Sequence, residues 1–322
     1  MPRALVTGAG GFVGQWLCRA LLSSGWEVTG TTIDGGPTSG ILSDAESAAV
    51  TWRGMDLRPG VDRRTLSGLL ERSRPEAVFH LAAVSFVPAA GADPMRALDT
   101  NVGAAVRLVE AMRLLRAAGT LDATLLVIGS AEQYGRHDAS AMPLAESAEL
   151  RPRTFYAATK CAQEAFALAA ARSEGLRVVA TRSFNHSGRG QGAQFLLPSL
   201  VARALEERRS PGGGVRIGNT ETIRDFLHVE DVVAAYISLV ERGRSGETYN
   251  VCSGAGASVG EIAGEVLAQA GVDGPLVSDP ALRRTVDVPA LVGDNTKLRS
   301  DTGWAPLRTR HHIIDDLLNA AP

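Results

Sequence analysis

Three side chains in the middle of the chain have the types and spacing needed for proton transfer. Tyr156 and Lys160 are four residues apart in "TFYAATK", which places them on one face of a predicted helix. An ammonium group beside a phenol favours the phenolate and lowers the pKa of the phenol. Ser130 ends the apolar run "LLVIGS", and its hydroxyl can share one substrate oxygen with the phenol. We therefore interpret the three residues as catalytic.

A carboxylate follows the serine in the stretch "IGSAEQYG". Glu132 could remove a carbon-bound proton from a substrate, which would make it a catalytic base. It could instead accept a hydrogen bond from a ligand hydroxyl, or cap a loop. These alternatives correspond to different enzyme reactions, so the role of Glu132 bears on the function.

The elements that must position these side chains follow an alternating pattern. Apolar runs of strand length, such as "RALVTG", "AVFHLAA" and "LRVVATRS", alternate with helical segments, two of them predicted over about 95–118 and 156–174. Such near-continuous apolar strands joined by helices predict an α/β fold with a doubly wound parallel sheet of the Rossmann type. The strand-end serine would then lie at the carboxyl edge of the sheet, where such folds bind ligands.

The composition of the chain changes after the last of these strands. Glycine, proline and arginine become frequent, and the strands become shorter. We predict a nucleotide-binding domain over 1–183 and a smaller C-terminal α/β substrate-binding domain over 184–322. Residues 226–251 are expected to pack back on the first sheet.

A glycine-rich turn lies between the first strand and the first helix, in "LVTGAGGFVG". Gly8 allows a tight turn, Gly11 allows a pyrophosphate to approach the backbone, and Gly14 allows close packing of helix and strand. The helix N-terminus offers free N–H groups and the positive end of its dipole. In this strand–turn–helix context the glycines predict a dinucleotide cofactor, NAD(P)H.

The form of the cofactor is left open by the residues near the second strand. An acidic residue that binds the ribose is expected at the end of that strand, and this position is Thr32. Its small side chain leaves room for a 2′-phosphate, but no arginine follows it. Asp56, in "RGMDL", is predicted to contact the adenine edge.

Composition and charge exclude several classes of protein. The 322 residues carry a net charge of −2, whereas a general nucleic-acid binder needs a basic face. Three widely spaced cysteines fit neither a disulfide framework nor a metal cluster. No apolar run approaches the roughly 18 residues of a membrane span. We therefore expect a cytoplasmic protein with no metal, no bound nucleic acid and no membrane association.

Taken together, the motifs "TGAGGFVG", "FHLAA", "TNVGA", "GSAEQYG", "YAATK", "RDFLHVEDVV" and "TGWAP" resemble those of extended short-chain dehydrogenases/reductases that act on nucleotide sugars. The resemblance implies a triad of Ser130, Tyr156 and Lys160, with Asn101 supporting the active-site helix. It also implies a homodimer built through a four-helix bundle. The residues expected to bind the cofactor are Gly8, Gly11, Phe12, Val13, Gly14, Thr32, Asp56, Leu57, Leu81, Ala82, Ala83, Tyr156 and Lys160.

Within that superfamily, "RSFNHSGRGQ", "IGNTETIRDF" and "TVDVPALVGDNTKLRSDTGW" are most similar to GDP-4-keto-6-deoxy-mannose reductases. This resemblance implies hydride delivery to a C4 ketone, with protonation of the new alkoxide by Tyr156. It implies that Asn185, Arg224 and Arg284 hold the nucleotide diphosphate, for which arginine forks are well suited. Ser85 keeps a hydroxyl that faces the substrate.

Two other reactions use the same fold and cofactor. A 4,6-dehydratase needs an acid and a base, and many relatives place an aspartate where this chain has Ala131, which cannot transfer a proton. A dehydratase in which Glu132 performs both tasks stays open, as does a 4-epimerase. The missing acid favours a reductase, in which Glu132 positions the substrate and is only secondarily a candidate base.

Overall fold

The computed structural model describes residues 1–37, 40–58, 63–283 and 287–320 of the chain. Strands and helices alternate through its first half. The strands are β1 (Arg3–Thr7), β2 (Glu27–Thr32), β3 (Thr51–Gly54), β4 (Ala77–His80), β5 (Thr124–Ser130), β6 (Val178–Ser183), β7 (Asn185–Ser187), β8 (Val215–Ile217), β9 (Ile223–His228), β10 (Thr248–Val251), β11 (Gly256–Ser258), β12 (Leu276–Ser278) and β13 (Ala290–Leu291).

The helices cover the main sheet and pack on the smaller sheets of the C-terminal half. They are α1 (Phe12–Ser23), α2 (Asp44–Ala49), α3 (Arg63–Ser73), α4 (Val87–Ala92), α5 (Pro94–Leu98), α6 (Ala104–Ala117), α7 (Phe155–Glu174), α8 (Leu196–Arg209), α9 (Val229–Arg242), α10 (Val259–Ala270), α11 (Thr296–Thr302) and α12 (Arg310–Ala320).

The main sheet has seven parallel strands in the order β10-β6-β5-β4-β1-β2-β3. This confirms the predicted doubly wound fold. The order reverses between β1 and β4, and the carboxyl ends of these two strands open the crevice where such sheets bind ligands. Strands β4 and β6 are buried along their whole length, which explains the apolar runs with which they begin, "AVF" and "VVA".

Two hydrophobic clusters lie on the main sheet. One holds side chains of α1 and α9, among them Leu17 and Val232, and the other holds side chains of α3, α6 and α7, among them Leu108. Helix α9 packs against α1. The segment 229–251 thus returns from the second half of the chain to cover the sheet and supply its strand β10.

A second, smaller domain closes over the carboxyl edge of the sheet. Strands β7, β9, β11 and β13 form one small sheet, and β8 pairs with β12. Helices α8, α10 and α12 supply apolar side chains to its core, which include Leu200, Ile262 and Ile313. Residues 226–228 belong to β9 and therefore to this small sheet.

The predicted helix over about 95–118 is interrupted. A π-helical turn, Asp99–Gly103, separates α5 from α6. It holds the fully buried Asn101, whose Oδ1 accepts from the Val84 N–H at 2.7 Å and whose Nδ2 donates to Thr159 Oγ1 at 2.9 Å. The hydrogen bonds of the Asn101 side chain thus connect the turn to α7. The apolar periodicity of the sequence does not predict this interruption of the helix.

Some features are missing from the described part of the chain. None of its helices is long and apolar enough to cross a membrane. Nor does any group of three or more His, Cys, Asp or Glu side chains within it come together to hold a metal ion. Cys18, Cys161 and Cys252 are free, and burial raises the pKa of Cys18 to about 12, so that thiol stays protonated.

Candidate active site

A cleft of about 680 Å³ runs along the carboxyl edge of the main sheet, between the sheet and the second domain. One end is lined by the glycine turn and the end of β2, the middle by the ends of β4 and β5 and the start of α7. The other end is lined by α8, β9 and neighbouring loops. An elongated ligand whose two ends differ chemically would fit this cleft.

The glycine turn leaves no room for side chains. Gly8 has φ +71°, and a Cβ there would lie 2.9 Å from the Ala82 nitrogen. A Cβ on Gly14 would lie 2.3 Å from the Gly8 carbonyl oxygen. Gly11 is the N-cap of α1 and has no side chain to cap the helix, so the first-turn N–H groups of Phe12 and Val13 have no capping side chain in the described part of the chain and can bind a phosphate. This end therefore fits a dinucleotide.

Gly10 belongs to the same cradle and was missed from the sequence. A Cβ on it would lie 2.6 Å from the Thr32 side chain and 2.8 Å from the Gly36 oxygen. The pair of adjacent glycines was the signal that could have identified it. Thr32 ends β2, and its Oγ1 is buried without a hydrogen-bond partner among the described residues. It is suited to bind a ribose hydroxyl or a phosphate oxygen.

The other predicted cofactor residues fall into two groups. Leu81, Ala82 and Ala83 follow β4 and line the cleft. Asp56 is paired with the guanidinium of Arg58, which lowers the pKa of the carboxyl, and Leu57 is buried in a core cluster. Neither of these last two is part of the cleft lining that the described residues form, so the structure does not bring them to the other predicted residues.

Ser130 and Tyr156 meet in the middle of the cleft. Ser130 ends β5, and Tyr156 lies in the first turn of α7, which Thr154 caps by accepting from the Ala157 N–H at 3.1 Å. The Ser130 hydroxyl lies close enough to the phenol to act on it and favours a lower pKa. Burial nevertheless raises the pKa of Tyr156 to about 12, and the charge of Glu132 acts in the same direction. The expectation that its pKa is lowered is therefore wrong in this structure, and the phenol is protonated at neutral pH.

Lys160 lies one helical turn after Tyr156 and is almost fully buried. Its Nζ donates to the Ile128 carbonyl oxygen at 2.7 Å and to Gln163 Oε1 at 2.9 Å. Burial lowers the pKa of Lys160 to about 7, because the charged form loses its hydration. The ammonium and its neutral form are thus close in free energy at physiological pH.

A buried network fixes the backbone around Ser130. The Ser130 N–H donates to Gln133 Oε1 at 2.8 Å, and Gln133 Nε2 donates to Glu164 Oε2 at 2.7 Å. Glu164 is paired with Arg182 on β6 at 2.6 Å, and both side chains are buried. Since Glu164 lies on α7 with Tyr156, the network connects the two elements that carry the two hydroxyl groups.

Glu132 and Ala131 both line the cleft next to these hydroxyl groups, and Ala131 is also part of a small buried apolar cluster. The Glu132 N–H donates to Ser130 Oγ at 3.2 Å, which ties the short turn Ala131–Tyr134 to the strand end. Glu132 is half-buried and close enough to raise the pKa of Tyr156. A carboxylate, a phenol and a serine hydroxyl therefore face one region of the cleft.

The predicted substrate residues that are described all line the cleft. They include Ser85 after β4 and Asn185 on β7. Arg224, on β9, is paired with Asp287 at 2.6 Å and donates to the Val288 carbonyl oxygen at 2.7 Å. Arg284 lies outside the described residues.

Further lining residues were not predicted from the sequence, although one of them, Asn219, lies within the quoted "IGNTETIRDF". Phe86 and Phe195 form an edge-to-face pair across the cleft, with ring centroids 5.7 Å apart. Arg203 on α8 lines the same half as Arg224, so the far end of the cleft contains two guanidinium groups. Asn219 lies in the loop after β8. These residues come from separate segments that only the tertiary fold brings together.

The chain is similar over nearly its full length to known proteins. The family model for GDP-mannose 4,6-dehydratase matches residues 5–317. The GDP-6-deoxy-D-mannose reductase of Pseudomonas aeruginosa is 36% identical, over 72% of this chain and 75% of that protein. The UDP-glucose 4-epimerase of Streptomyces lividans is 30% identical, over 97% of this chain and 94% of that one.

Solved structures show the same fold. The structure of RMD from Pseudomonas aeruginosa complexed with NADPH superposes with a TM-score of 0.83 at 30% identity, covering 99% of this chain and 98% of that one. The UDP-glucose 4-epimerase of Thermus thermophilus in complex with NAD gives a TM-score of 0.83 at 25% identity, covering 99% and 100%. Both contain a nicotinamide cofactor.

Proposed function

We propose that this chain, which belongs to the GDP-mannose 4,6-dehydratase family of extended short-chain dehydrogenases/reductases, reduces the C4 ketone of a nucleotide-linked 4-keto-6-deoxyhexose. Its family consists of NAD(P)-dependent enzymes that reduce, epimerise or dehydrate sugar nucleotides. The narrower assignment to reduction of a GDP-4-keto-6-deoxy-mannose-like substrate is the proposal.

The observation that carries the proposal is the arrangement of Ser130, Ala131 and Tyr156. A ketone oxygen bound between the serine hydroxyl and the phenol would be polarised by both. The nicotinamide, when bound, supplies a hydride to the carbonyl carbon. Tyr156, with its pKa raised to about 12, is a proton donor at neutral pH, as reduction requires. Ala131 offers no acid for expelling a C6 hydroxyl.

The cofactor is NAD(P)H, and its preference between the two forms is not part of the proposal. Its binding at the first end of the cleft is supported by the glycine turn, by the uncapped start of α1 and by the Thr32 hydroxyl, which has no partner among the described residues. Lys160 would donate to the ribose of the nicotinamide. Asp56 and Leu57 are proposed as adenine contacts only by resemblance, since their side chains are engaged elsewhere.

The nucleotide diphosphate of the substrate is proposed to bind at the opposite end. Arg224 and Arg203 bring two positive groups to this half of the cleft, and Asn185 and Ser85 add neutral polar groups. Arg224 would have to exchange the carboxylate of Asp287 for phosphate oxygens. Glu132 would accept a hydrogen bond from a sugar hydroxyl. Arg284 remains a predicted diphosphate ligand.

A 4,6-dehydratase is the second candidate, and Glu132 is the observation that favours it. This carboxylate lies beside Tyr156, where it could act as the base on a carbon next to the ketone. A 4-epimerase uses the same triad, and the similarity to the epimerase of Streptomyces lividans keeps it as a third candidate.

One experiment separates the three reactions. Purified protein is incubated with GDP-4-keto-6-deoxy-mannose and either NADPH or NADH, and with a panel of parent nucleotide hexoses. A reductase consumes one cofactor for each ketone reduced. Formation of a 4-keto sugar from a parent hexose without net cofactor use would contradict the proposal in favour of a dehydratase. Interconversion of two hexoses without net cofactor use would instead indicate an epimerase.

We also propose that a second copy of the chain binds to the surface of α5 and α7. Met95, Leu98, Phe155 and Phe166 on these helices are exposed although they are large and apolar. Burying them between two copies would form the expected four-helix bundle. Light scattering should give a dimer for the wild type and a monomer for Phe166→Glu, and a monomeric wild type would contradict this proposal.

A further inference from the structure

The ammonium group of Lys160 is held by a glutamine that no quoted motif contains. Gln163 lies three residues further along α7 and is fully buried, and its Oε1 accepts from Lys160 Nζ at 2.9 Å. We infer that Gln163 is a positioning residue, which fixes the orientation of the Lys160 ammonium and stabilises its charge. The inference rests on the role proposed for Lys160 at the cofactor ribose.

The oxygen and the nitrogen of the Gln163 amide differ in their hydrogen bonding. An ammonium group can only donate, so the amide must present its oxygen to Lys160. The Nε2 end is then buried without a hydrogen-bond partner among the described residues. An unpartnered buried N–H group is unfavourable for folding, and an apolar side chain of similar length would avoid that cost. Stability alone therefore does not explain a glutamine here, whereas its contact with Lys160 does.

Counting donors shows what the contact achieves. The ammonium has three N–H groups. One is directed at the Ile128 carbonyl oxygen at 2.7 Å and a second at Gln163. A single N–H remains for a ribose hydroxyl, so the two acceptors determine where it points. Without Gln163, the ammonium would be free to rotate about the Ile128 contact.

The charge of Lys160 is sensitive to its acceptors. Burial lowers the pKa of Lys160 to about 7, and a carbonyl oxygen bound to the ammonium acts in the opposite direction. His80 on β4 lies near Lys160. Burial and the charge of Lys160 lower the pKa of His80 to about 3, so its imidazole is neutral. The titratable neighbours on α7 are Tyr156, which is protonated, and Glu164, which is paired with Arg182.

The test measures the charge of Lys160 directly and needs no substrate or cofactor. The rate of acylation of Lys160 by acetic anhydride is followed by mass spectrometry as a function of pH, because only the neutral amine reacts. The midpoint should fall by about one to two pH units in Gln163→Met, which lacks the acceptor, and rise in Gln163→Glu. Gln269→Met, a half-buried glutamine on α10, is the matched control and should leave the midpoint unchanged.

Two further measurements separate positioning from a structural role. Gln163→Met should be less stable than the wild type only below the wild-type midpoint of Lys160, where the ammonium loses an acceptor, and should unfold at the wild-type temperature above that midpoint, where the amine is neutral. Unchanged midpoints in both Gln163 variants would overturn the inference, as would a lowered unfolding temperature with an unchanged midpoint. Lys160→Met tests the proposed function separately. If that variant keeps wild-type turnover, the role of Lys160 is wrong, while the acylation midpoints still report on Gln163.

Discussion

Replacing Glu132 by glutamine removes the charge of the carboxylate and keeps its shape. In a reductase, Glu132 only accepts a hydrogen bond from the substrate, and the amide oxygen can still accept one. A bond to a charged group contributes about 1 to 1.5 kcal/mol more than a neutral one. This difference corresponds to about a five- to twelvefold rise in KM. Turnover should remain within about tenfold of the wild type.

In a dehydratase, the same substitution removes the base. Positioned general bases contribute about 10² to 10⁴ in rate, and an amide cannot replace them. Turnover should then fall by at least about a hundredfold with little change in KM. For Glu132→Gln, a reductase therefore predicts a change mainly in KM, whereas a dehydratase predicts a change mainly in kcat.

The assay follows NADPH or NADH absorbance at saturating and limiting GDP-4-keto-6-deoxy-mannose, with product analysis. Glu149→Gln is the matched control, since this exposed carboxylate is paired with Arg151 away from the cleft lining and should leave both constants unchanged. A hundredfold loss of kcat for Glu132→Gln at unchanged KM would refute the positioning role. Glu132→Gln should also lower the pKa of Tyr156, because the negative charge that raises it is removed.

Three further outcomes are expected. Tyr156→Phe should reduce turnover by at least about a hundredfold while cofactor binding, measured by fluorescence, is retained; wild-type turnover would exclude the phenol as the proton donor. Glu164→Leu leaves the buried Arg182 without its carboxylate and should lower the free energy of unfolding by about 3 to 5 kcal/mol, as measured in urea. A decrease of less than about 1 kcal/mol would contradict the importance of this buried ion pair. Gly14→Ala places a methyl group 2.3 Å from the Gly8 oxygen and should abolish cofactor binding or folding, as measured by calorimetry and circular dichroism.

The strand ends and the meeting of Ser130 with Tyr156 were predictable because local rules determine them. Apolar runs located β1, β4 and β5, and the four-residue spacing placed Tyr156 and Lys160 on one face of α7. The parallel sheet then brings Ser130 to the same edge, since all its strands end there. The helical spacing that predicts α7 therefore also predicts which of its side chains face the cleft.

Other features depend on contacts between distant segments and could not be predicted. The π-turn at Asn101 is held by bonds to Val84 and Thr159, and periodicity does not encode them. The raised pKa of Tyr156 comes from burial by the folded chain, which the sequence spacing to Lys160 does not reveal. Gly10 is constrained by the Thr32 side chain at the end of the neighbouring strand, so its role also depends on the fold.

The position of β10 has a consequence for the synthesis of the protein. This strand, Thr248–Val251, forms an outer edge of the main sheet by pairing with β6, and α9 covers α1. A nascent chain that has emerged only as far as β6 therefore exposes an unpaired strand edge and an uncovered apolar helix face. The cofactor-binding sheet cannot be completed until about 250 residues have left the ribosome. The first domain should therefore depend on the second half of the chain for its own folding, although most of its sequence is translated first.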